Sequence, residues 1–218
     1  MPTPTLRDIL SPQRALIFRI IHRDNIPWIL GNGLHCRNSN RPDPNFVSIG
    51  NPSLINDRHH VGVPIPPRGR LSDYIPFYFT PLSIMLLNIK TGYRGIQQRR
   101  NDEIAILVCS LPKLYQDGIG FVFTDRHARL ETVEFFGDVA NLDRIDWKIL
   151  QNRDFNRDNN DLGKMERYQA ETLVHRYLPV DSLLGIACYN NRERDRVDAL
   201  VKRAGAGLNV ISRPGWYF

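Results

Sequence analysis

The chain has 218 residues, 42% hydrophobic and 24% charged, enough for one large globular domain that buries its core without staples. Three scattered cysteines, Cys36, Cys109 and Cys188, with no C-x-x-C pair, exclude a disulfide framework and a structural zinc site and fit a reducing cytoplasm. The net charge of +6 is clustered: Arg58, Arg68 and Arg70 in residues 58–70, and Lys90, Arg94, Arg99 and Arg100 in residues 90–100, with no acid in either segment, a pattern that attracts polyanions.

In chain order, the opening MPTPTLRDIL lacks a signal-peptide pattern. Ala15–His22 (ALIFRIIH) reads as a strand. A helix follows, capped by Asp24 or Asn25, with Pro27 in its first turn and Gly33 as its stop. Arg37–Asn45 is a polar loop and Phe46–Ile49 a short strand. Asn51-Pro52 opens a helical turn carrying Arg58, and Gly62–Gly69 is irregular. Tyr74–Thr80 and Ile84–Ile89 read as strands around a turn at Pro81. The uncharged run from Tyr74 to Ile89 falls short of the ~20 residues of a membrane helix, so no membrane span is expected. Ile104–Leu111 and Gly120–Thr124 are further strands, and Glu131–Leu142 is expected to be helical. Gln151–Lys164 is long, polar and unpatterned. Ala170–Val174 and Ile186–Tyr189 are strands, Asn191–Ala204 is a charged surface helix, and Val210–Phe218 is a closing apolar strand.

Strands outnumber helices and do not alternate with them regularly. That predicts an α+β fold with a mixed or antiparallel sheet, in a single domain spanning 1–218. The Gln151–Lys164 loop is charge-balanced, with Arg153, Arg157 and Lys164 against Asp154, Asp158 and Asp161. Phe155 in its middle either stacks on a base or docks back onto the body.

Among ionisable residues, Glu171 in RYQAETLV (Arg167–Val174) draws attention, because a carboxylate at the mouth of an apolar strand is desolvated. Desolvation raises a carboxyl pKa and suits it to proton transfer. Other chemistries lack support. Gly31-Asn32-Gly33 starts like a dinucleotide fingerprint, but Cys36 occupies the third glycine's place. His59 and His60 are adjacent and cannot share a metal from one helical face. No zinc-protease, nucleophile-elbow or P-loop motif occurs.

Four ordered segments carry a resemblance: RIIHRDNIPWILGNGL (Arg19–Leu34), IGNPSLINDR (Ile49–Arg58), DYIPFYFTPLSIML (Asp73–Leu86) and RYQAETLV, together with the terminal GWYF. The chain resembles the DarT family of DNA ADP-ribosyltransferase toxins, and is most similar to its enterobacterial, thymidine-modifying branch. The resemblance implies an ADP-ribosyltransferase core of two facing, mainly antiparallel sheets with a split NAD cleft and peripheral helices. It implies a toxin that transfers ADP-ribose from NAD, used as co-substrate without a metal, to thymidine in single-stranded DNA.

By the same resemblance, Glu171 is the catalytic glutamate and Arg58 the essential arginine. His22, Asn25 and Gly33 contact NAD, and Tyr74 and Phe77 wall the nicotinamide pocket. Met85, Arg99 or Arg100, and His127 touch substrate or active site, and a loop at about 151–168 selects the target. Arg94, Arg99 and Arg100 are expected to track DNA phosphates, and Arg153, Phe155, Arg157 or Arg167 to hold the base. A macrodomain antitoxin that reverses the modification is the implied partner. A transferase acting on guanine or RNA, and a catalytically silent nucleic-acid-binding module, are the alternatives.

Overall fold

The computed structural model describes residues 5–218. Its strands are β1 (Leu16–His22), β2 (Leu34–His35), β3 (Tyr74–Tyr78), β4 (Ile104–Ser110), β5 (Phe121–Thr124), β6 (Phe135–Phe136), β7 (Glu171–His175), β8 (Tyr177–Leu178), β9 (Gly185–Cys188) and β10 (Asn209–Ser212). Its helices are α1 (Leu6–Ile9), α2 (Ile26–Asn32), α3 (Pro52–Asp57), α4 (Ile84–Thr91), α5 (Leu111–Gln116), α6 (Trp147–Asn152), α7 (Lys164–Arg167) and α8 (Asn191–Arg203).

Eight strands form one sheet in the order β10-β9-β4-β1-β3-β7-β5-β6, and β2 pairs with β8 apart from it. Only β10 and β9 run parallel among the paired strands described. β1 pairs with β4 from Leu16↔Ser110 to His22↔Ile104, whereas β1 meets β3 at the single pair Phe18↔Tyr78. The sheet is therefore two four-stranded halves that splay apart beyond one contact, the split arrangement expected. Pro76 explains the splaying. In an antiparallel strand one residue's N–H and C=O point to the same side. The Pro76 carbonyl points at β1, where the Arg19 guanidinium donates to it at 2.8 Å, and proline has no N–H to offer β1 beside it.

The core runs through both halves. Every residue of β4 is buried, which accounts for its unbroken apolar run, IAILVCS. The three cysteines are free and buried. Among the described residues, no helix is long and apolar enough to cross a membrane.

Four sequence expectations are corrected. Ile84–Ile89 is helical, not extended. The Ser83 side chain accepts from the Leu86 N–H, Gly92 closes the helix at φ 69, and Leu86 and Ile89 bury one face at helical spacing. Glu131–Leu142 is not a helix: Phe135–Phe136 pairs with β5, and Asp138 caps a 3-10 turn at Val139–Arg144. Phe46–Ile49 forms no strand and runs as a loop tied to Asn25. The final strand ends at Ser212, because Pro214 and Gly215 start a 3-10 turn.

Candidate active site

α3 starts at Asn51, whose side chain accepts from the Ser53 and Leu54 N–H groups, and Pro52 fits its first turn. Arg58 caps its C-terminal end and turns its side chain inward to 14% exposure. Glu171 opens β7 directly opposite Tyr78 of β3 and is 1% exposed. Its main-chain N–H donates to the Thr124 hydroxyl at 3.2 Å, which fixes the strand end against β5.

Both carboxylate oxygens of Glu171 are engaged. Oε2 accepts from Arg58 Nη1 at 3.0 Å. Oε1 accepts from the Ala128 N–H at 3.3 Å and lies 3.6 Å from His127 Nδ1. Burial pushes the Glu171 carboxyl up, but the Arg58 charge foremost, then His127 and the hydrogen bonds from Arg58 and Ala128, hold it below the ordinary glutamate value. The expected raised pKa is thus overturned: burial acts, and a neighbouring guanidinium outweighs it. Glu171 is an anion at neutral pH. His127 is pulled below the ordinary histidine value, chiefly by burial and against the Glu171 charge, so its ring is neutral there.

Only half of the Arg58 fork is used. Its Nη2 is buried and has no hydrogen-bond partner among the described residues. Arg19, facing the split from β1, has a buried Nε in the same condition. Burial, then the charge of Arg58, pulls Arg19 down to about 10, so it stays cationic at neutral pH. The Tyr78 hydroxyl is pushed up by burial and by Glu171, and so stays protonated.

Two cavities of about 150 and 210 Å³ open at the split. Arg19, Ile21, Phe46, Ser48, Ile55, Arg58 and Pro76 line both, so they are two chambers of one cleft with Arg58 on the shared wall. Neither alone reaches the ~300–1,000 Å³ of an ordinary ligand pocket. The first holds Glu171, His127, Tyr78, Met85 and Asn25. The second holds Tyr74, Trp28, His35 and two exposed cations, Arg37 and Arg41.

Of the expected residues, Glu171, Arg58, Asn25, Met85, His127 and Tyr74 line this cleft. Asn25 acts on the chain itself: its amide donates to the Val47 carbonyl at 3.0 Å and accepts from the Val47 N–H at 2.8 Å, holding the 46–49 loop over the cleft. Tyr74 contributes ring surface, since its hydroxyl is tied to the Arg68 carbonyl at 2.6 Å.

Three expected NAD contacts stand outside both chambers. His22 lines neither chamber; its Nδ1 accepts from the Asp24 N–H, and its Nε2 sits 3.8 Å from Glu103. Phe77 is fully buried in the core, one residue out of phase with the cleft-facing Pro76 and Tyr78. Gly33, at φ 76, serves close packing within the chain: a Cβ there would meet the Tyr177 ring at 2.6 Å and the Leu178 carbonyl at 2.7 Å.

No expected DNA-contacting arginine lines either chamber. Arg99 pairs with Glu103 and Arg100 with Asp102, acids that stand just beyond the basic segment. Arg167 forks onto Asp161 at 2.9 and 2.6 Å and also reaches Asp146. Phe155 docks edge-on against Tyr168 and Phe218. Arg94, Arg153 and Arg157 are exposed; Arg94 lies over the Tyr93 ring and Arg153 donates to the Gly215 carbonyl.

Arg19, Tyr78, Arg129 and the Ala128 N–H were not anticipated. Two of them left a trace in the sequence: Arg19 interrupts an apolar strand, and Tyr78 shares the period-two face of Tyr74 and Pro76. Among the described residues, no group of three or more His, Cys, Asp or Glu is placed to hold a metal ion.

Residues 18–218 match the family model described as "ssDNA thymidine ADP-ribosyltransferase, DarT". The chain is 49% identical over 209 residues to a DNA ADP-ribosyl transferase of Escherichia coli O127:H6 (strain E2348/69 / EPEC), covering 96% of each chain. It is 33% identical to Thermus sp. 2.9 DarT in complex with ADP-ribosylated ssDNA, with a TM-score of 0.84 over 95% of this chain and 98% of that one. The same protein in complex with NAD+ matches with a TM-score of 0.79, over 95% of this chain and 100% of the other.

Proposed function

This chain belongs to the DarT family of ssDNA thymidine ADP-ribosyltransferases, and we propose that its Arg58–Glu171 cleft is where ADP-ribose passes from NAD to a thymine of single-stranded DNA. The observation that carries the site is the buried pair itself, which leaves Arg58 Nη2 unspent at the wall between two chambers. A dinucleotide fits neither chamber alone and spans both. The second chamber, with Arg19, Arg37 and Arg41, suits the diphosphate end. The first, with Glu171, suits the nicotinamide ribose.

In the reaction the bond from ribose C1′ to the nicotinamide nitrogen breaks with its electron pair on nicotinamide. A bond from C1′ to thymine N3 forms, and the N3 proton is lost. Positive charge develops on the ribose as the first bond lengthens. The Glu171 anion stands ready to stabilise it without reorganising. The free half of the Arg58 fork polarises a thymine carbonyl and makes N3–H more acidic. With Nη2 engaged by the carbonyl, the Arg58 charge is shared between substrate and Glu171, and the basicity of the carboxylate rises toward that needed to take the proton. Met85 and His127 border the space for the base.

A single strand presents N3–H without the few kcal/mol cost of unpairing a duplex. Arg94, Arg153 and Arg157, exposed outside the cleft, are suited to the flanking phosphates. The arginines already held by carboxylates, Arg99, Arg100 and Arg167, are less suited. Phe155, packed in an aromatic cluster, supports the 151–168 loop from beneath. A toxin role, a macrodomain partner that removes the adduct, and action in the cytoplasm complete the proposal; the resemblance implies the first two, and three free, buried cysteines fit the third.

The test is to incubate protein, NAD and short oligonucleotides and record intact masses. An ADP-ribose adduct confined to thymine-containing single strands is expected. Adducts on thymine-free DNA or on RNA would redirect the substrate assignment. Binding without any adduct would leave only a nucleic-acid-binding module.

A further inference from the structure

We propose that Asp57 and Arg129 form a positioning strap that fixes the two sides of the Arg58–Glu171 pair against each other, an inference that rests on that pair being the reactive site. α3, which delivers Arg58, buries none of its own residues. Its apolar Leu54 and Ile55 are only half-buried, at the cleft wall, so apolar packing holds the angle at which Arg58 enters the cleft only loosely. The Arg58 carbonyl is tied to the Ser72 N–H at 3.2 Å, a backbone contact that leaves the helix free to tilt. Asp57, the last residue of that helix, is ion-paired with Arg129 across 72 positions of chain.

Arg129 belongs to the turn that follows β5. In that turn the Ala128 N–H holds Glu171 Oε1, and the Arg129 N–H itself donates to His127 Nδ1 at 3.2 Å. One guanidinium thus joins the carrier of Arg58 to the carrier of the groups on the other carboxylate oxygen. The side chains are 27% and 43% exposed, and ion pairs so open to water contribute little to folding. Aim is a more sensitive quantity: a displacement of about 1 Å can cost on the order of a hundredfold in rate.

Arg129 also lines the first chamber, so a direct contact with substrate is the competing role. Asp57 lines neither chamber, which lets the two be separated. Steady-state kcat and KM would be measured across pH for Asp57→Asn, Arg129→Gln, their combination, and the exchanged pair Asp57→Arg with Arg129→Asp. We expect each single variant to lose roughly tenfold in kcat with KM for NAD nearly unchanged. The combined neutral variant should be no worse than either single one, and the exchanged pair should recover part of the loss. The acid limb of the pH profile should move upward, because a loosened Arg58 holds the Glu171 carboxyl down less firmly. Unfolding of each variant followed over the same pH range separates this shift from acid unfolding of a weakened fold, which would move both curves together.

Wild-type kcat and acid limb in Asp57→Asn would overturn the strap, whatever Arg129→Gln does; a defect confined to Arg129→Gln would make that residue a substrate contact. If the exchanged pair does not fold, the two single variants and their neutral combination still decide. Glu171→Gln serves as the control: retained activity there would remove the site assignment, a different failure from that of the strap.

Discussion

Arg58 Nη1 and Glu171 Oε2 lie 3.0 Å apart in space and 113 positions apart in the chain, with the carboxylate 1% exposed. Breaking such a pair by removing one partner strands a charge in a poorly solvated place. A neutral amide in place of the carboxylate also leaves the Arg58 charge without its counterion, but it still accepts the guanidinium's hydrogen bond.

Glu171→Gln is expected to keep the fold and single-strand binding while lowering transfer by at least about a hundredfold, since the amide keeps hydrogen-bonding capacity and loses the charge that opposes the developing cation. Glu171→Ala should do the same to activity and also lower stability by about 3–5 kcal/mol, because Arg58 then loses its hydrogen-bond acceptor as well as its counterion. Denaturant unfolding and oligonucleotide masses, measured on both variants, check this. A Gln variant that modifies DNA at the normal rate would remove Glu171 from the mechanism.

Acidity provides a second check. Glu171 is held below its usual value of 4.5 and His127 below its usual 6.5. For both groups the unfolded chain takes up a proton at a higher pH than the folded one. Stability should therefore fall as pH drops, first below about 6.5 as unfolded His127 protonates and then below about 4.5 as unfolded Glu171 does. For single-turnover transfer, the acid limb assigned to Glu171 in the free enzyme should lie below 4.5. A limb near 6 would assign the carboxyl the raised value expected from burial alone.

Gly33→Ala tests whether that glycine serves packing or ligand approach. Positive φ and the close Tyr177 and Leu178 atoms predict destabilisation by more than about 1 kcal/mol. At temperatures well below unfolding, KM for NAD should stay near its original value. A large KM change with no loss of stability would return Gly33 to the NAD contacts.

Phe155→Ala should lower the unfolding free energy by on the order of 2 kcal/mol, less than the ~3–5 kcal/mol of a fully buried ring, because Phe155 is only partly buried among Tyr168 and Phe218. Affinity for a thymine-rich strand, read by fluorescence anisotropy, should change much less than for Arg157→Ala measured beside it. The opposite order would make the ring a base-stacking platform.

The strands were legible where their chemistry was local. β1, β4 and β7 announce themselves by branched and apolar runs, and α2 by Pro27 and Gly33. α4 reads as a strand because Ile84–Ile89 is apolar apart from Asn88, and the Ser83 and Gly92 caps carry the information that its composition hides. At the site, Glu171 stands out at the mouth of an apolar strand and Arg58 through the resemblance, but the sign of the carboxyl shift is not legible, since it depends on a guanidinium 113 positions away. The pairing of Arg99, Arg100 and Arg167 is hidden from the sequence for the same reason. Asp102, Glu103 and Asp161 neutralise them through side-chain geometry that charge counting along a segment does not reveal.

Because β1 and β3 share only the Phe18↔Tyr78 rung, and the Arg19 side chain occupies the carbonyl beside it, the crevice is an unzipped seam within a single sheet. A guest wedged into that seam can widen the angle between the two leaves without tearing any long ladder.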